Sequence, residues 1–280
     1  MAHPASAVTA LFVPGDRPDR FAKAAAAGPD VVVIDLEDAV PPGAKEAALA
    51  AVLAALSPDA GLRALVRLNA AGTATYDREV GAVAELAARP GHGLLGVLLP
   101  KAEDPAALAS LIAALARPGS ALAVIPLVES ALGVVRAFEL ASVPGVTRLA
   151  FGALDFTLDV AADLDSAAVG QARAQLVIGS RAAGVPAPLD SPCTDVRDLE
   201  RVLAAARESR SAGFGGMLCI HPAQLPAVRA GFAPTAAEIE WARAVIGAEG
   251  GDVQGGAVQI GGRMVDRPVV ERARRILDAR

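Results

Sequence analysis

Short apolar runs alternate with longer amphipathic stretches along almost the whole chain. The runs cover residues 8–13, 31–36, 62–68, 94–99, 122–128, 146–151, 185–189 and 214–220. They are continuous rather than alternating, which is the pattern of parallel strands covered on both faces. Between them lie helical patterns: DRPDRFAKAAAAG, PGAKEAALAAVLAAL, TYDREVGAVAELAARP, DPAALASLIAALARPG, SALGVVRAFELASV, DSAAVGQARAQLVIGSRAAG and DVRDLERVLAAARESRSAG. Pro42 stands near a helix start, and Gly28, Gly184 and Gly213 follow helix ends. Eight strands with helices behind them predict an α/β fold, a (β/α)8 TIM barrel. The alternative is an open doubly wound sheet, which the absence of GxGxxG after the first strand disfavours. The pattern changes near the C-terminus. TAAEIEWARAVIGAEG reads as a helix, GGDVQGGAVQIGGRM as a glycine-rich stretch and VDRPVVERARRILDAR as a closing helix. The expected division is a barrel over 1–233 and a C-terminal helical extension over 234–280, serving as a lid or an inter-subunit arm.

In such a barrel the active site lies at the C-terminal ends of the strands. The residues following the runs are therefore candidates: Arg17, then Asp35, Glu37 and Asp38, then Arg67 and Asn69, Lys101 and Glu103, Glu129, Asp155, Asp190, and His221. One charge at a strand end can simply mark where solvent begins. Glu37, Arg67, Glu129 and Asp155 each follow a run expected to be deeply buried, and together they point to a site. Glu129 and Asp155 end consecutive strands in this reading, about 4.8 Å apart. Carboxylates so placed repel unless a cation or a shared proton joins them. No His or Cys cluster offers a zinc site, whereas two carboxylates with water and a chelating substrate suit Mg²⁺ or Mn²⁺. A glycosidase-like acid/base pair is the alternative, and 3% aromatic content with one Trp disfavours it. The planar fork of Arg67 suits a carboxylate or an enolate oxygen. Asp35, deeper in the strand, needs a hydrogen-bond or cationic partner or a raised pKa.

Composition narrows the classes. The 280 residues are 53% hydrophobic and 20% charged, enough for a large core. A formal charge of −5 and a pI near 5.3, without a long basic block, exclude nucleic acid as an expected partner. Cys193 and Cys219 lack metal-ligand spacing and read as reduced thiols of a cytoplasmic protein. Mean hydropathy is high at +0.42 because of alanine-rich helices. Gly, Pro and charge interrupt every apolar run, so no membrane span is expected, and the N-terminus has no basic segment of a signal peptide.

The ordered set FVPGDRPDRFAKA, DLEDAV, VRLN, LPKAE, PLVESALG, FGALDF, CIHPAQ and GRMVDRPVVERARRIL resembles the citrate lyase β-subunit-like group of the HpcH/HpaI aldolase superfamily. The resemblance implies a metal-dependent carbon–carbon lyase, a homotrimer or hexamer, acting on 3-hydroxy-acyl thioesters. The carrier would be coenzyme A or, in the citrate lyase complex, an acyl carrier protein; the other product would be an α-keto acid. It implies Glu129 and Asp155 as Mg²⁺ ligands (Mn²⁺ as an alternative), Arg67 on the thioester and keto-acid oxygens, and Glu37 and Asp38 beside them. It also implies that the backbone at Gly152, Ala153, Leu154 and Asp155 holds the keto-acid carboxylate, and that Arg17, Arg20 and Lys23 lie near the carrier. These three are equally ordinary helix-surface cations. Asp266, in the MVDRP motif, would be a general base supplied by a neighbouring subunit; as an Asp before Arg-Pro it is also a helix cap. His221 would contact ligand or order the end of the eighth strand.

The chain departs from the family pattern at Leu154, where close relatives often carry an acid, and at Ala161, where a glycine is lost. The histidines, His3, His92 and His221, disfavour the pyruvate-specific branch, which places one near the N-terminal strands. A non-catalytic barrel that only binds keto acid or CoA is a further alternative.

Overall fold

The computed structural model describes residues 3–116, 122–249, 258–260 and 263–278. Eight parallel strands, β1 (Thr9–Pro14), β2 (Val31–Asp35), β3 (Ala64–Arg67), β4 (Leu94–Leu99), β5 (Ala123–Val128), β6 (Ala150–Phe151), β7 (Leu189–Asp190) and β8 (Gly216–Cys219), close into a barrel in chain order. Closure is by β1 against β8, Thr9 beside Met217 and Leu11 beside Cys219. Helices fill the crossovers: α1 (Phe21–Ala26), α2 (Lys45–Ala55), α3 (Tyr76–Ala87), α4 (Pro105–Leu115), α5 (Ala131–Val135), α6 (Ala137–Ala141), α7 (Ala153–Asp159), α8 (Ala167–Ala183) and α9 (Leu199–Ala212). Helix α10 (Gln224–Phe232) follows β8. The fold is the expected (β/α)8 barrel.

Two strands, β6 and β7, are cut to two residues each within longer apolar runs. The run 185–189 contains Pro186 and Pro188, which lack N–H donors, and the ladder forms only at Leu189–Asp190. In the run 146–151, the Thr147 hydroxyl accepts the Val124 N–H at 3.1 Å, taking a position that a backbone carbonyl would fill in a ladder. Only Ala150–Phe151 counts as strand there.

Strand alternation sorts the residues onto two faces. Val31 and Val33, Leu65, Ala123, Ile125 and Leu127, Ala150 and Leu218 fill the barrel interior. Continuing each series by two residues carries Asp35, Arg67, Glu129, Gly152 and Ile220 to the upper, C-terminal layer of that interior. The intervening Val32, Ile34 and Leu36 are equally buried, on the outward face. This double burial is the reason the runs read as continuous.

The chain divides into two compact units, Met1–Arg229 and Ala230–Arg280. The second contains α11 (Ala236–Glu249), a small antiparallel pair β9 (Val258–Ile260) and β10 (Arg263–Val265), and α12 (Arg267–Asp278). Its own core joins Ala242 and Val245 to Val270, Ala273 and Ile276, and Arg272 lies over the Trp241 ring at 5.4 Å. The part of the glycine-rich stretch at residues 250–257 lies outside the described residues.

Candidate active site

A cleft of about 420 Å³ opens at the C-terminal end of the barrel. Phe12, Leu127, Leu218 and Ile220 form its apolar walls, and Asp35, Asp38, Arg67, Glu129 and Asp155 its polar ones. Neighbouring-strand register sets its central contact. Asp35 pairs with Arg67 across β2 and β3, and both point inward. Arg67 donates from Nε to Asp35 Oδ1 at 2.7 Å and from Nη2 to Oδ2 at 2.6 Å, a two-pronged fit of planar guanidinium to carboxylate. The buried Asp35 thus finds the cationic partner it requires. Phe12 supports the guanidinium from below, 4.9 Å from ring centre to Cζ. Burial opposes Arg67's charge, but the Asp35 bonds and the Glu37 and Glu129 charges outweigh it and hold the guanidinium more firmly protonated than usual.

Glu37 lies two residues beyond β2, buried, with Oε2 2.9 Å from Arg67 Nη1. That contact is an ion pair whose angle is too poor for a hydrogen bond. The other oxygen accepts from Lys101 Nζ at 2.9 Å. Burial raises the Glu37 pKa, with Arg67 and Lys101 pulling the other way. Three hydrogen bonds fix the backbone beneath it: Lys45 Nζ donates to the Leu36 and Glu37 carbonyls at 2.7 and 2.6 Å, and Asn69 Nδ2 to the Leu36 carbonyl at 2.9 Å. Asn69 is in turn held by the buried Glu79 carboxylate. Asp38 is exposed at the cleft wall.

Glu129 follows β5 and is 5% exposed. Its Oε1 accepts the Lys101 backbone N–H at 2.8 Å. Burial, with the nearby Glu37 charge adding to it, pushes the Glu129 pKa up to about 8. Asp155 belongs not to a strand end but to the first turn of α7, more open than Glu129, with Lys101 Nζ at 3.6 Å. Gly152, the cap of α7, has φ −113° and ψ 86°, a conformation open to any residue. Its requirement is steric: an added Cβ would lie 2.5 Å from Glu129 Oε2.

The backbone donors at this turn are fewer than the sequence suggests. The Gly152 N–H bonds the Val128 carbonyl and the Ala153 N–H bonds Ser191 Oγ at 2.7 Å. Gly152 and Ala153 therefore line the cleft without offering a free donor. The Leu154 and Asp155 N–H groups have no acceptor among the described residues.

Arg17, Arg20 and Lys23 are exposed and do not line the cleft. Arg17 is paired with Asp19 at 3.1 Å. His221 is exposed and accepts the Ala223 N–H at 3.2 Å, ordering the turn after β8. Asp266 caps α12, accepting from the Val269 N–H at 3.3 Å. It lies in the second compact unit.

The donor set suits one divalent ion. With all four ionised, Asp35, Glu37, Glu129 and Asp155 face Arg67 and Lys101 among the described residues, a surplus of two negative charges that a divalent ion would match. No group of three or more His, Cys, Asp or Glu side chains forms a ready-made metal cage among the described residues. Glu129 and Asp155 would then supply two ligands, with water and substrate oxygens completing the shell, as Mg²⁺ prefers.

Sequence reasoning gave no role to Lys101, Ser191, Lys45 or Gln224. Lys101 stood in view after β4. Gln224, the last residue of CIHPAQ, stood in view after β8; its side chain accepts from the Ile220 N–H and donates to the Cys193 carbonyl, joining the ends of β7 and β8.

Known proteins share this arrangement of sequence and fold. A citrate lyase subunit beta-like protein of Mycobacterium tuberculosis is 37% identical over 275 residues, covering 95% of this chain and 93% of its own. An L-malyl-CoA/beta-methylmalyl-CoA lyase of Cereibacter sphaeroides is 31% identical over 293 residues, covering 94% and 91%. The crystal structure of protein CitE from Mycobacterium tuberculosis, in complex with magnesium, acetoacetate and coenzyme A, superposes with a TM-score of 0.83 at 36% identity, covering 98% of both chains. The model of the HpcH/HpaI aldolase/citrate lyase family matches residues 9–222, the span that carries every rim residue of the barrel, and the chain belongs to that family.

Proposed function

We propose that the chain is a Mg²⁺-dependent carbon–carbon lyase that cleaves, and in reverse forms, 3-hydroxy-acyl thioesters of the malyl-CoA, citramalyl-CoA or citryl type, yielding an acyl thioester and an α-keto acid. The observation that carries this reading is the convergence of Arg67, Glu129 and Asp155 on one cleft. Glu129 and Asp155 hold the ion, with Mn²⁺ as the alternative to Mg²⁺. When bound, the ion supplies Lewis-acid polarisation of the substrate's hydroxyl and keto oxygens.

The remaining work falls to side chains. Asp35 and Glu37 hold the guanidinium plane of Arg67, which leaves N–H groups to stabilise the enolate oxygen that develops on the thioester. The Leu154 and Asp155 N–H groups receive the keto-acid carboxylate. The apolar walls exclude water from the enolate. The 3-hydroxyl proton needs a base, and Asp266 is the candidate, brought by the 234–280 segment of a neighbouring copy. A homo-oligomer, trimer or hexamer, would also cover the apolar side chains exposed on α5 to α8, of which Leu158 is 82% and Val135 75% exposed. Glu37 and Asp38 act around Arg67 rather than as ligands.

The test is incubation with malyl-CoA and citramalyl-CoA in the presence and absence of Mg²⁺, with released keto acid trapped as its phenylhydrazone. Metal-dependent release, abolished in Glu129→Ala, is the expected result. No keto acid from any such thioester, with metal binding unchanged in Glu129→Ala, would end the proposal.

The likeness to a citrate lyase subunit beta of Leuconostoc mesenteroides, 33% identical over 283 residues, supports a second reading in which an acyl carrier protein brings the thioester. Exposed Arg20 and Lys23 would face it. A stoichiometric carrier protein in pull-downs favours that reading, and self-sufficient turnover of CoA esters counts against it.

A further inference from the structure

Lys101 is a non-glycine residue in the left-handed region, with φ +49°, a conformation that side-chain-bearing residues seldom adopt. Such outliers persist where surrounding contacts over-determine them, often at functional sites. Here the contacts are specific. The turn aims the Lys101 N–H at Glu129 Oε1, 2.8 Å away, while the next N–H, of Ala102, returns to the Leu127 carbonyl of β5 at 3.1 Å. The same turn sends the side chain over the cluster, with Nζ 2.9 Å from Glu37 Oε1 and 3.6 Å from Asp155 Oδ2. One residue thus touches three of the four carboxylates. Asp35, the fourth, is already matched by Arg67.

We propose that Lys101 is a positioning residue and the built-in counter-cation of this site: its ammonium holds Glu37 and Asp155 together when no metal is bound and competes with the divalent ion for them, while its backbone N–H sets the Glu129 carboxylate. This rests on the metal-dependent reading above and adds a role for a residue outside the ligand pair. A lysine serving only as a surface ion pair would contribute little, but its partner Glu37 is buried, with 6% of its side chain exposed. The ammonium therefore compensates a charge that water cannot reach.

The consequence is opposite to that of losing a supporting residue. Lys101→Met keeps the backbone N–H and removes only the charge. Metal-free, it should melt below the wild type, because Glu37 then keeps only Arg67 and Asp155 loses the cation that links it to Glu37. It should bind Mn²⁺ more tightly than the wild type, by roughly tenfold or more even with the screening of bulk water, since a unit charge a few Å from a divalent ion is removed. The Mn²⁺-induced rise in Tm should exceed that of the wild type. Lys101→Arg, which keeps the charge, should restore wild-type behaviour in both measurements.

The experiment is calorimetric titration of the full-length protein with Mn²⁺ alone, paired with thermal melts with and without the ion. If Lys101→Met does not fold, Lys101→Gln removes the charge while its amide still donates to Glu37, and the same tightening is expected. Wild type that binds Mn²⁺ while both neutral variants bind it no more tightly would overturn the counter-cation role. Wild type that binds no Mn²⁺ would overturn the metal reading itself, so the two failures are distinguishable.

Discussion

Gly152→Ala isolates the geometry of the candidate metal site with a single methyl group. The glycine's backbone angles, φ −113° and ψ 86°, suit alanine, so no conformational strain accompanies the change. The obstacle is Glu129: the new Cβ would stand 2.5 Å from Oε2, 2.8 Å from Glu129 Cβ and 3.4 Å from the carboxyl carbon. Comfortable separations are about 3.5–4.0 Å, so something must yield by about an ångström. The backbone cannot readily do so, because Val128 and Phe151 are register partners across β5 and β6 and the Gly152 N–H bonds the Val128 carbonyl at 3.0 Å. The Glu129 carboxylate swings away, and because its Cβ is fixed to the backbone, β5 and β6 must also part slightly at this point.

Overpacking of this kind costs about 1–3 kcal/mol of stability, which a barrel tolerates. Displacing a functional group by about 1 Å costs on the order of 10²-fold in rate. The expected result is therefore a folded protein with a modestly lower Tm, Mn²⁺ affinity weakened by about tenfold or more, equivalent to ~1.4 kcal/mol, and kcat reduced by about two orders of magnitude. Calorimetric titration with Mn²⁺, circular-dichroism melts and thioester cleavage read these separately. Gly81→Ala, on α3 with no atom within 4 Å of the added Cβ, is the control and should leave metal binding unchanged. Gly152→Ala binding Mn²⁺ within twofold of the wild type would refute the assignment of Glu129 as a ligand held in place by this close approach.

Four further outcomes are expected. Because burial lifts the Glu129 pKa from its ordinary 4.5 to about 8, the metal-free site keeps a proton that the ion must displace. Mn²⁺ affinity should rise about tenfold per pH unit below pH 8 and level off above it, with proton release seen as a buffer-dependent heat. The sign for stability follows from the same shift: the folded state binds this proton more tightly than the unfolded chain, so Glu129's contribution is fully present below about pH 4.5 and lost as pH rises through 8, as melts of the metal-free protein would show. Asp35→Ala leaves the buried Arg67 without its two-pronged partner and should cost about 3–5 kcal/mol by denaturant unfolding, with thioester cleavage lost as the guanidinium loses its orientation. Asp266→Asn retains a capping oxygen for the Val269 N–H and should leave Tm nearly unchanged while lowering kcat; equal activity of this variant would remove Asp266 from the reaction.

The amino-acid sequence by itself determined the barrel. Runs buried on both faces, separated by helical stretches with proline and glycine at their ends, admit few folds, and alternation within a run settles which side chains face inward. Asp35, Arg67 and Glu129 continue the interior series of β2, β3 and β5, so their presence at the rim was legible from spacing alone. What spacing cannot encode is which side chains meet across strands. That Asp35 makes the two-pronged contact with Arg67 while Glu37 takes the remaining nitrogen follows from the register of β2 against β3, and register depends on how eight strands stagger to close a ring. The occupied N–H group of Ala153 depends on Ser191, nearly forty residues downstream. Lys101 gained its place through a left-handed turn that no local motif of Pro, Lys and Ala announces. Local pattern reports burial, because burial is a property of each residue in its own element. The partners of a charge are a property of closure, because only the folded ring sets side by side residues that the chain keeps far apart.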